Sequence, residues 1–205
     1  MQHKHHIVFL TGAGISQESG ISTFRDANGL WNNHKIEEVA SPEGFEKNPQ
    51  LVLDFYNARR RQLDTVAPND AHYLIAQLET KYNVTVITQN IDDLHERAGS
   101  TNVLHLHGEL RKSRSSKNHK LVYDCNEDIK LGDLASDGNQ LRPHIVWFGE
   151  AVTAIENAIA LTQAADLFVI VGTSMVVHPA ASLLLAVPFD VQTVYIDTNP
   201  DVEEG

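Results

Sequence analysis

Cysteine is nearly absent from the sequence: Cys125 is the single one in 205 residues. One thiol excludes an intrachain disulfide and any metal site built from several cysteines, and this usage suits a reducing, cytoplasmic compartment. Long hydrophobic runs are also missing, because the first apolar run, residues 7–10, is followed at once by a Thr-Gly turn. We therefore expect no signal peptide, no membrane span and no membrane partner.

Basic residues are few. Sixteen Lys and Arg against 27 Asp and Glu give a formal net charge of -11. This excess of negative charge argues against binding along a phosphate backbone, so we expect no nucleic-acid partner, although a pocket for one anionic cofactor stays compatible with it. With 42% hydrophobic residues, the chain is long enough to bury a full core.

The apolar runs indicate the fold class. Short runs predict buried strands at residues 7–10, 84–87, 103–106, 167–174 and 193–196. Helical spacing predicts helices over residues 49–65, 70–81, 152–164 and near 180–185. Strands that alternate with helices predict an α/β fold with a Rossmann-like, doubly wound parallel sheet. The polar stretch 111–140 predicts an inserted loop or small lobe.

Amide and carboxylate side chains follow the predicted strand at residues 84–87. Gln89, Asn90 and Asp92 stand at its carboxyl end, where open α/β sheets build their binding sites. Their groups suit ribose hydroxyls and a carboxamide. Asn and Asp are equally common as turn formers, so the pattern alone leaves both interpretations open.

Two histidines alternate at the end of the next predicted strand. His107 could face a cleft and take a proton near neutral pH. His105 is its natural control, because alternate strand residues point to opposite faces and only one of the two can face a given cleft. A lone histidine is more often structural.

A glycine pair follows the first predicted strand. Gly12 and Gly14 match the first two glycines of a dinucleotide fingerprint, but Gln17 stands where the third is expected. Such a pair is as often a plain turn as a phosphate site. Arg25 and Asp26 could close over a bound phosphate and ribose, or could form a surface ion pair.

Tyr56 and Arg59 are three residues apart on the predicted helix at 49–65, so their side chains point the same way. A phenol beside a guanidinium is a ready receptor for a carboxylate, because the guanidinium fork can engage both oxygens. The same spacing also occurs along solvated helix edges.

Taken together, five blocks of sequence resemble the signature blocks of the sirtuins, the NAD-dependent protein lysine deacylases, in the family's order. They are GAGISQESGISTFRD, TQNIDDLHERAG, HLHGEL, LRPHIVWFGE and GTSMVVHPAA. The resemblance implies one catalytic domain over residues 1–205. Within it, a Rossmann lobe would span approximately 1–31, 69–110 and 143–205, and a small lobe approximately 32–68 and 111–142. NAD and an acylated lysine of a protein or peptide would meet between the lobes.

The resemblance also implies roles for single residues. The acyl oxygen would attack the ribose carbon that carries nicotinamide, and His107 would then act as general base on a ribose hydroxyl, giving free lysine, nicotinamide and O-acyl-ADP-ribose. Contacts to NAD would come from Gly12, Ala13, Gly14, Ser16, Phe24, Arg25, Gln89, Asn90, Ile91, Asp92, Gly172, Thr173, Ser174 and Asp197. The substrate peptide would pair with Val146, Trp147, Phe148 and Gly149.

Three residues match the class III branch, whose members prefer malonyl, succinyl or glutaryl lysine. Ala40, Tyr56 and Arg59 carry that match. A small Ala40 would leave room for a longer acyl group, while Tyr56 and Arg59 would bind its far carboxylate.

The small lobe departs from the family pattern. Ser115 and Asn118 stand where the first cysteine pair of a zinc ribbon would fall, and Cys125 is alone. One thiolate cannot complete a tetrahedral zinc site, so we expect no structural zinc. The packing of apolar residues is expected to hold the lobe instead, and the candidates are Leu121, Val122, Ile129 and Leu131.

Two other functions remain compatible with the sequence. A protein ADP-ribosyltransferase would begin with the same expulsion of nicotinamide. A weakly active module that binds NAD or ADP-ribose would fit the missing zinc site and the end of the chain at residue 205. The sequence leaves the oligomeric state open.

Overall fold

The computed structural model of the chain describes residues 4–22, 30–31 and 34–198. The strands in these ranges are β1 His6–Thr11, β2 Leu30–Trp31, β3 His34–Lys35, β4 Asn83–Thr88, β5 Val103–His105, β6 Gly108–Ser115, β7 Val122–Asp124, β8 Leu141–Ile145, β9 Leu167–Val171 and β10 Gln192–Ile196. The α-helices are α1 Ile36–Val39, α2 Pro42–Lys47, α3 Pro49–Leu63, α4 Asp70–Leu78, α5 Leu94–Ala98 and α6 Ile155–Gln163. Residues Ala13–Ser16 and Ala180–Ala186 form 3-10 helices.

A parallel sheet in the order β10-β9-β1-β4-β5 forms the centre of the molecule. Both of its faces are covered, which explains why its strands are continuous apolar runs. Val8, Leu10 and Phe168 pack on one face against α6 and the second 3-10 helix. Ile7 and Phe9 pack on the other face, where α4 covers them. The predicted α/β class and parallel sheet are confirmed.

The small lobe combines helices α1 to α3 with an antiparallel sheet in the order β7-β6-β8. Strand β6 starts at Gly108, ahead of the polar stretch at 111–140, and β8 runs on to Ile145. Helix α3 starts at Pro49, directly after Asn48, whose side chain accepts a hydrogen bond from Leu51 N–H at 3.2 Å. A proline in the first turn and an asparagine cap favour a helix start here.

Two of the four residues that were expected to hold the small lobe by apolar packing are exposed. Ile129 is buried, but Val122 and Leu131 are 37% and 49% exposed, and Leu121 is half-buried. The side chain of Asn57 on α3 also bonds both backbone groups of Ile129: its amide nitrogen donates to the carbonyl at 2.8 Å, and its oxygen accepts from the N–H at 3.0 Å.

Arg60 makes a second connection of the same kind. Its Nε donates to Leu110 O at 2.8 Å, and a terminal nitrogen donates to Glu127 O at 3.2 Å. Ser115, at a position where the resemblance leads one to look for cysteine, accepts hydrogen bonds from the N–H groups of Lys117 and Asn118 and donates to Asp137. Polar contacts to the backbone therefore add to the buried Ile129 and to the apolar cluster that α1 to α3 form with Leu110 and Ile145.

No helix in the described ranges has the length and apolar character needed to cross a bilayer.

Candidate active site

A cavity of about 460 Å³ opens between the central sheet and the small lobe, within the ~300–1,000 Å³ common for small-molecule and cofactor sites. It lies at the carboxyl ends of β1, β4 and β9. All the site residues predicted from the sequence that fall in the described ranges line this cavity. Phe24 and Arg25 lie outside the described residues, as does Asp26.

The glycines of the first loop allow two loops to pack closely. A Cβ on Gly12 would lie 2.6 Å from Thr173 Cβ, and one on Gly14 would lie 2.8 Å from Gly172 Cα. Gly14 N–H also donates to Gly172 O at 2.8 Å. These loops follow β1 and β9, between which the strand order reverses. Open α/β sheets bind ligands in the crevice at such a reversal.

The polar side chains after β4 are held by one another. Asn90 donates to Gly12 O and to Ser16 Oγ, both at 3.1 Å, and Ser16 donates to Asp92 at 3.0 Å. Burial raises the pKa of Asp92, although hydrogen bonds from Leu94 N–H and Ser16 oppose this. Gln89 reaches across to Thr173 at 3.0 Å. The cluster therefore presents amide and carboxylate groups in fixed orientations beside the glycine loop.

The hydrogen-bond partner of His107 determines which of its two ring nitrogens carries the hydrogen. Its Nδ1 lies 3.0 Å from Gln89 O, and a carbonyl oxygen only accepts, so Nδ1 carries the hydrogen. In the neutral ring Nε2 is then the basic nitrogen. Burial lowers the pKa of His107, while the bond to Gln89 O acts against that shift. The ring is therefore neutral at pH 7 and able to accept a proton in the cavity.

His105 cannot do the same. Its two ring nitrogens lie 2.9 Å from Asn90 O and 2.8 Å from a carboxylate oxygen of Glu96, and both partners are acceptors. Burial alone would lower the pKa of His105, but the hydrogen bond and charge of Glu96 raise it above its ordinary value. A ring that donates from both nitrogens has no free lone pair, so His105 is a structural cation.

The sequence profile of the Sir2 family matches residues 12–179. The chain belongs to the Sir2 family. The suspected sirtuin resemblance is thereby confirmed.

Curated Sir2-family relatives match almost the whole chain. A protein of Helicobacter pylori named NAD-dependent protein deacylase is 60% identical over 192 residues, which cover 94% of this chain and 84% of the relative. A Bacteroides thetaiotaomicron protein of the same name is 55% identical over 201 residues, covering 95% of this chain and 86% of the relative.

Solved Sir2 structures agree with the fold. A Sir2 homologue in complex with NAD has 41% identity and a TM-score of 0.86, with 96% of this chain and 79% of that chain covered. A Sir2 variant with a deacetylated p53 peptide and 3'-O-acetyl ADP-ribose has 34% identity and a TM-score of 0.79, with 96% and 83% covered.

The small-lobe wall of this Sir2-family cavity contains a buried cation. Arg59 is 8% exposed, and its guanidinium carbon lies 3.6 Å from the centre of the Phe55 ring and 4.5 Å from that of Trp31. Burial lowers the pKa of Arg59 to about 10, against the influence of Tyr56, so it stays charged near pH 7. Within the described ranges, no carboxylate forms an ion pair with it.

The sequence reasoning missed two residues of this wall. Trp31 stacks on Arg59, and Glu150 faces the cavity beside the Val146 segment. Glu150 is the last residue of the block LRPHIVWFGE, so its place in that block could have marked it as a site residue. Trp31 lay at the point where the sequence becomes turn-rich, and nothing in its spacing marked it as a site residue.

Within the described part of the chain, no group of three or more His, Cys, Asp and Glu side chains is arranged to hold a metal ion. The hydroxyl of Ser115 accepts hydrogen bonds from the N–H groups of Lys117 and Asn118 and donates one to Asp137.

Proposed function

We propose that the NAD-dependent protein deacylase activity of this Sir2-family chain acts preferentially on lysines whose acyl group ends in a carboxylate, namely malonyl, succinyl or glutaryl lysine. The observation that carries the proposal is the buried Arg59, a cation without a carboxylate partner in the described ranges, in the same cavity as His107. A buried charge without a counter-ion is costly. An acyl carboxylate entering the cavity would supply that counter-ion.

The cavity also suits NAD. The loops of Gly12 to Gly14 and Gly172 to Ser174 would hold it with Asp197, and the amide and carboxylate groups of Gln89, Asn90 and Asp92 match a carboxamide and ribose hydroxyls. When bound, NAD supplies a ribose carbon whose leaving group is nicotinamide. The donors and acceptors that this requires already line the site and are already held by hydrogen bonds.

His107 would move the proton in this reaction. Its Nδ1–H remains bonded to Gln89 O while Nε2 accepts a proton from a hydroxyl group in the cavity. Because burial favours the neutral ring, the same nitrogen gives the proton up readily afterwards. Gln89 thus fixes the tautomer, and His107 holds the proton only transiently.

The peptide would lie along Val146 to Gly149. This segment is fixed by its backbone on two sides, since Val146 N–H donates to His107 O at 2.9 Å and Phe148 N–H donates to Ala40 O at 3.0 Å. An acyl chain entering beside it would share the cavity with Ala40, which is buried and small, and with Tyr56 and Arg59. The small side chain of Ala40 supports room for the acyl group in this cavity.

The small lobe is proposed to be stable without zinc. The support is the set of contacts from Asn57, Arg60 and Ser115 to backbone groups of Ile129, Leu110 and Lys117.

A peptide panel tests the acyl preference. One peptide sequence carrying acetyl, butyryl, malonyl, succinyl or glutaryl lysine would be assayed with NAD, with release of nicotinamide and of the deacylated peptide both measured. We expect kcat/KM to be higher for the three acidic acyl groups than for butyryl by about tenfold or more, because a charged hydrogen bond contributes ~1.5–3 kcal/mol. Equal values for succinyl and butyryl would refute the preference. Nicotinamide release with transfer of ADP-ribose to the peptide would refute deacylation.

A further inference from the structure

The hydroxyl of Tyr56 has one hydrogen-bond partner in the described ranges, and that partner is a donor. Trp147 Nε1 lies 3.0 Å from the Tyr56 hydroxyl oxygen. An indole N–H only donates, so the tyrosine oxygen accepts. Burial raises the pKa of Tyr56, so the hydroxyl keeps its own proton. That proton has no acceptor within hydrogen-bond distance among the described residues, although Tyr56 lines the cavity.

Trp147 is itself held tightly. Its backbone N–H donates to Glu150 Oε2 at 2.9 Å, and the guanidinium carbon of Arg142 lies 3.1 Å from the centre of its ring. The residue is 2% exposed. Neither the indole ring nor its N–H is therefore free to turn away from Tyr56.

Glu150 holds both Trp147 and the arginine that packs on its ring. It accepts two hydrogen bonds each from Arg114 and Arg142, between 2.7 and 3.1 Å, besides the one from Trp147 N–H. Burial alone would raise the pKa of Glu150, but the hydrogen bond and charge of Arg142 lower it below the ordinary value. The carboxylate stays ionised and is the counter-ion that Arg114 and Arg142 share, whereas Arg59 has no carboxylate partner in the described ranges.

We propose that Trp147 is a positioning residue that determines specificity. Its indole N–H donates to the Tyr56 hydroxyl oxygen, so the hydroxyl proton is directed into the cavity. There the hydroxyl and Arg59 would both bind the far carboxylate of the acyl group. The inference rests on the proposed preference for acidic acyl groups and assigns a residue beyond Tyr56 and Arg59 to it. Trp147→Phe keeps an aromatic ring at this position but removes the indole N–H, which leaves the hydroxyl proton of Tyr56 free to rotate.

A double-mutant cycle tests the inference. Trp147→Phe, Tyr56→Phe and the double variant would be compared with the wild type on succinyl-lysine and butyryl-lysine peptides, which share chain length and differ in the carboxylate. The measured quantity is the ratio of kcat/KM values for the two peptides. Tyr56→Phe should lower the ratio by about tenfold or more, as expected for a lost hydrogen bond to a charged group. Trp147→Phe should lower it about threefold to tenfold, since it leaves the hydroxyl present but misdirected.

The distinguishing result is the coupling between the two positions. In the Tyr56→Phe background, Trp147→Phe should change the ratio by less than about twofold, because no hydroxyl is left to orient. The Kd of a fluorescent succinyl-lysine peptide, measured by anisotropy without NAD, should follow the same pattern. An equal effect of Trp147→Phe in both backgrounds would indicate lost packing and would overturn the inference.

Two further outcomes separate this inference from the proposed function. A wild-type enzyme that does not distinguish succinyl from butyryl lysine would overturn both. A wild-type preference that Arg59→Met abolishes but Trp147→Phe leaves intact would overturn the role of Trp147 alone. If Trp147→Phe fails to fold, benzothienylalanine at position 147 keeps the two-ring shape without the N–H, and the same ratios decide.

Discussion

His107 and Gln89 are joined by a hydrogen bond of 3.0 Å from the imidazole Nδ1 to the backbone carbonyl. The carbonyl belongs to the loop after β4 and the histidine to the segment after β5. Because β4 and β5 pair as parallel strands, their ends bring the two groups within hydrogen-bond distance. It fixes the tautomer, and with it the basic nitrogen. The same loop supplies Asn90 and Asp92, which ties the base to the predicted nicotinamide end of the cavity.

His107→Ala should abolish deacylation while NAD binding stays largely intact. The ring is the predicted proton acceptor, and general bases contribute ~10²–10⁴-fold to rate. Turnover of an acylated peptide and NAD affinity by calorimetry are the two measurements. His105→Gln, at the neighbouring histidine that lacks a free nitrogen, is the matched control and should lose far less activity. Substantial deacylation by His107→Ala would remove His107 as the base.

The kcat/KM for deacylation should fall on the acidic side of its pH profile with a midpoint below pH 6.5. Burial lowers the pKa of His107 from the ordinary 6.5, and the base works only when neutral, so activity is present above the folded pKa and is lost as pH falls through it. The measurement is kcat/KM on one acyl peptide from pH 5 to 8. A midpoint above 6.5 would contradict the neutral-base assignment.

Stability should also fall on acidification. Burial lowers the pKa values of His72 and His95 to about 4 and about 3, with His72 also acting on His95. Below pH 6.5 the unfolded chain therefore binds protons that the folded chain does not, and the free energy of unfolding drops by ~1.4 kcal/mol per pH unit for each histidine until its folded pKa is reached. Urea titrations at pH 7 and pH 5 measure the drop. His72→Gln should reduce it, and an unchanged drop would show that His72 does not contribute.

Asn57→Ala should destabilise the chain by ~2–4 kcal/mol, because it leaves the buried N–H and carbonyl of Ile129 unpaired. Gln50→Ala, an exposed change on the same helix, should stay within ~0.5 kcal/mol. Urea denaturation compares the two variants.

Treatment with a chelator should leave the urea midpoint of the wild type unchanged, because the small lobe is proposed to be stable without zinc. Stoichiometric zinc in chelator-washed protein would contradict this account of the small lobe.

The parts of the fold that could be predicted from sequence are those whose buried positions are apolar. β1 and β4 are runs of buried residues, and the strand ends they define brought Gln89 and His107 to one cavity. β6 escaped prediction because several of its buried positions are Ser113, Arg114 and Ser115. Polar residues buried by specific partners give no hydrophobic period, and the partners of Arg114 and Ser115, Glu150 and Asp137, are distant in sequence.

The central claim is that Arg59 selects a carboxylate at the end of the acyl group. Its most direct test is the ratio of kcat/KM for succinyl-lysine and butyryl-lysine peptides in the wild type and in Arg59→Met, which keeps a long, flexible side chain without the charge. The account predicts a wild-type ratio of about ten or more that falls by about tenfold to a hundredfold in the variant. Equal losses on both peptides, or a wild-type ratio near one, would contradict it.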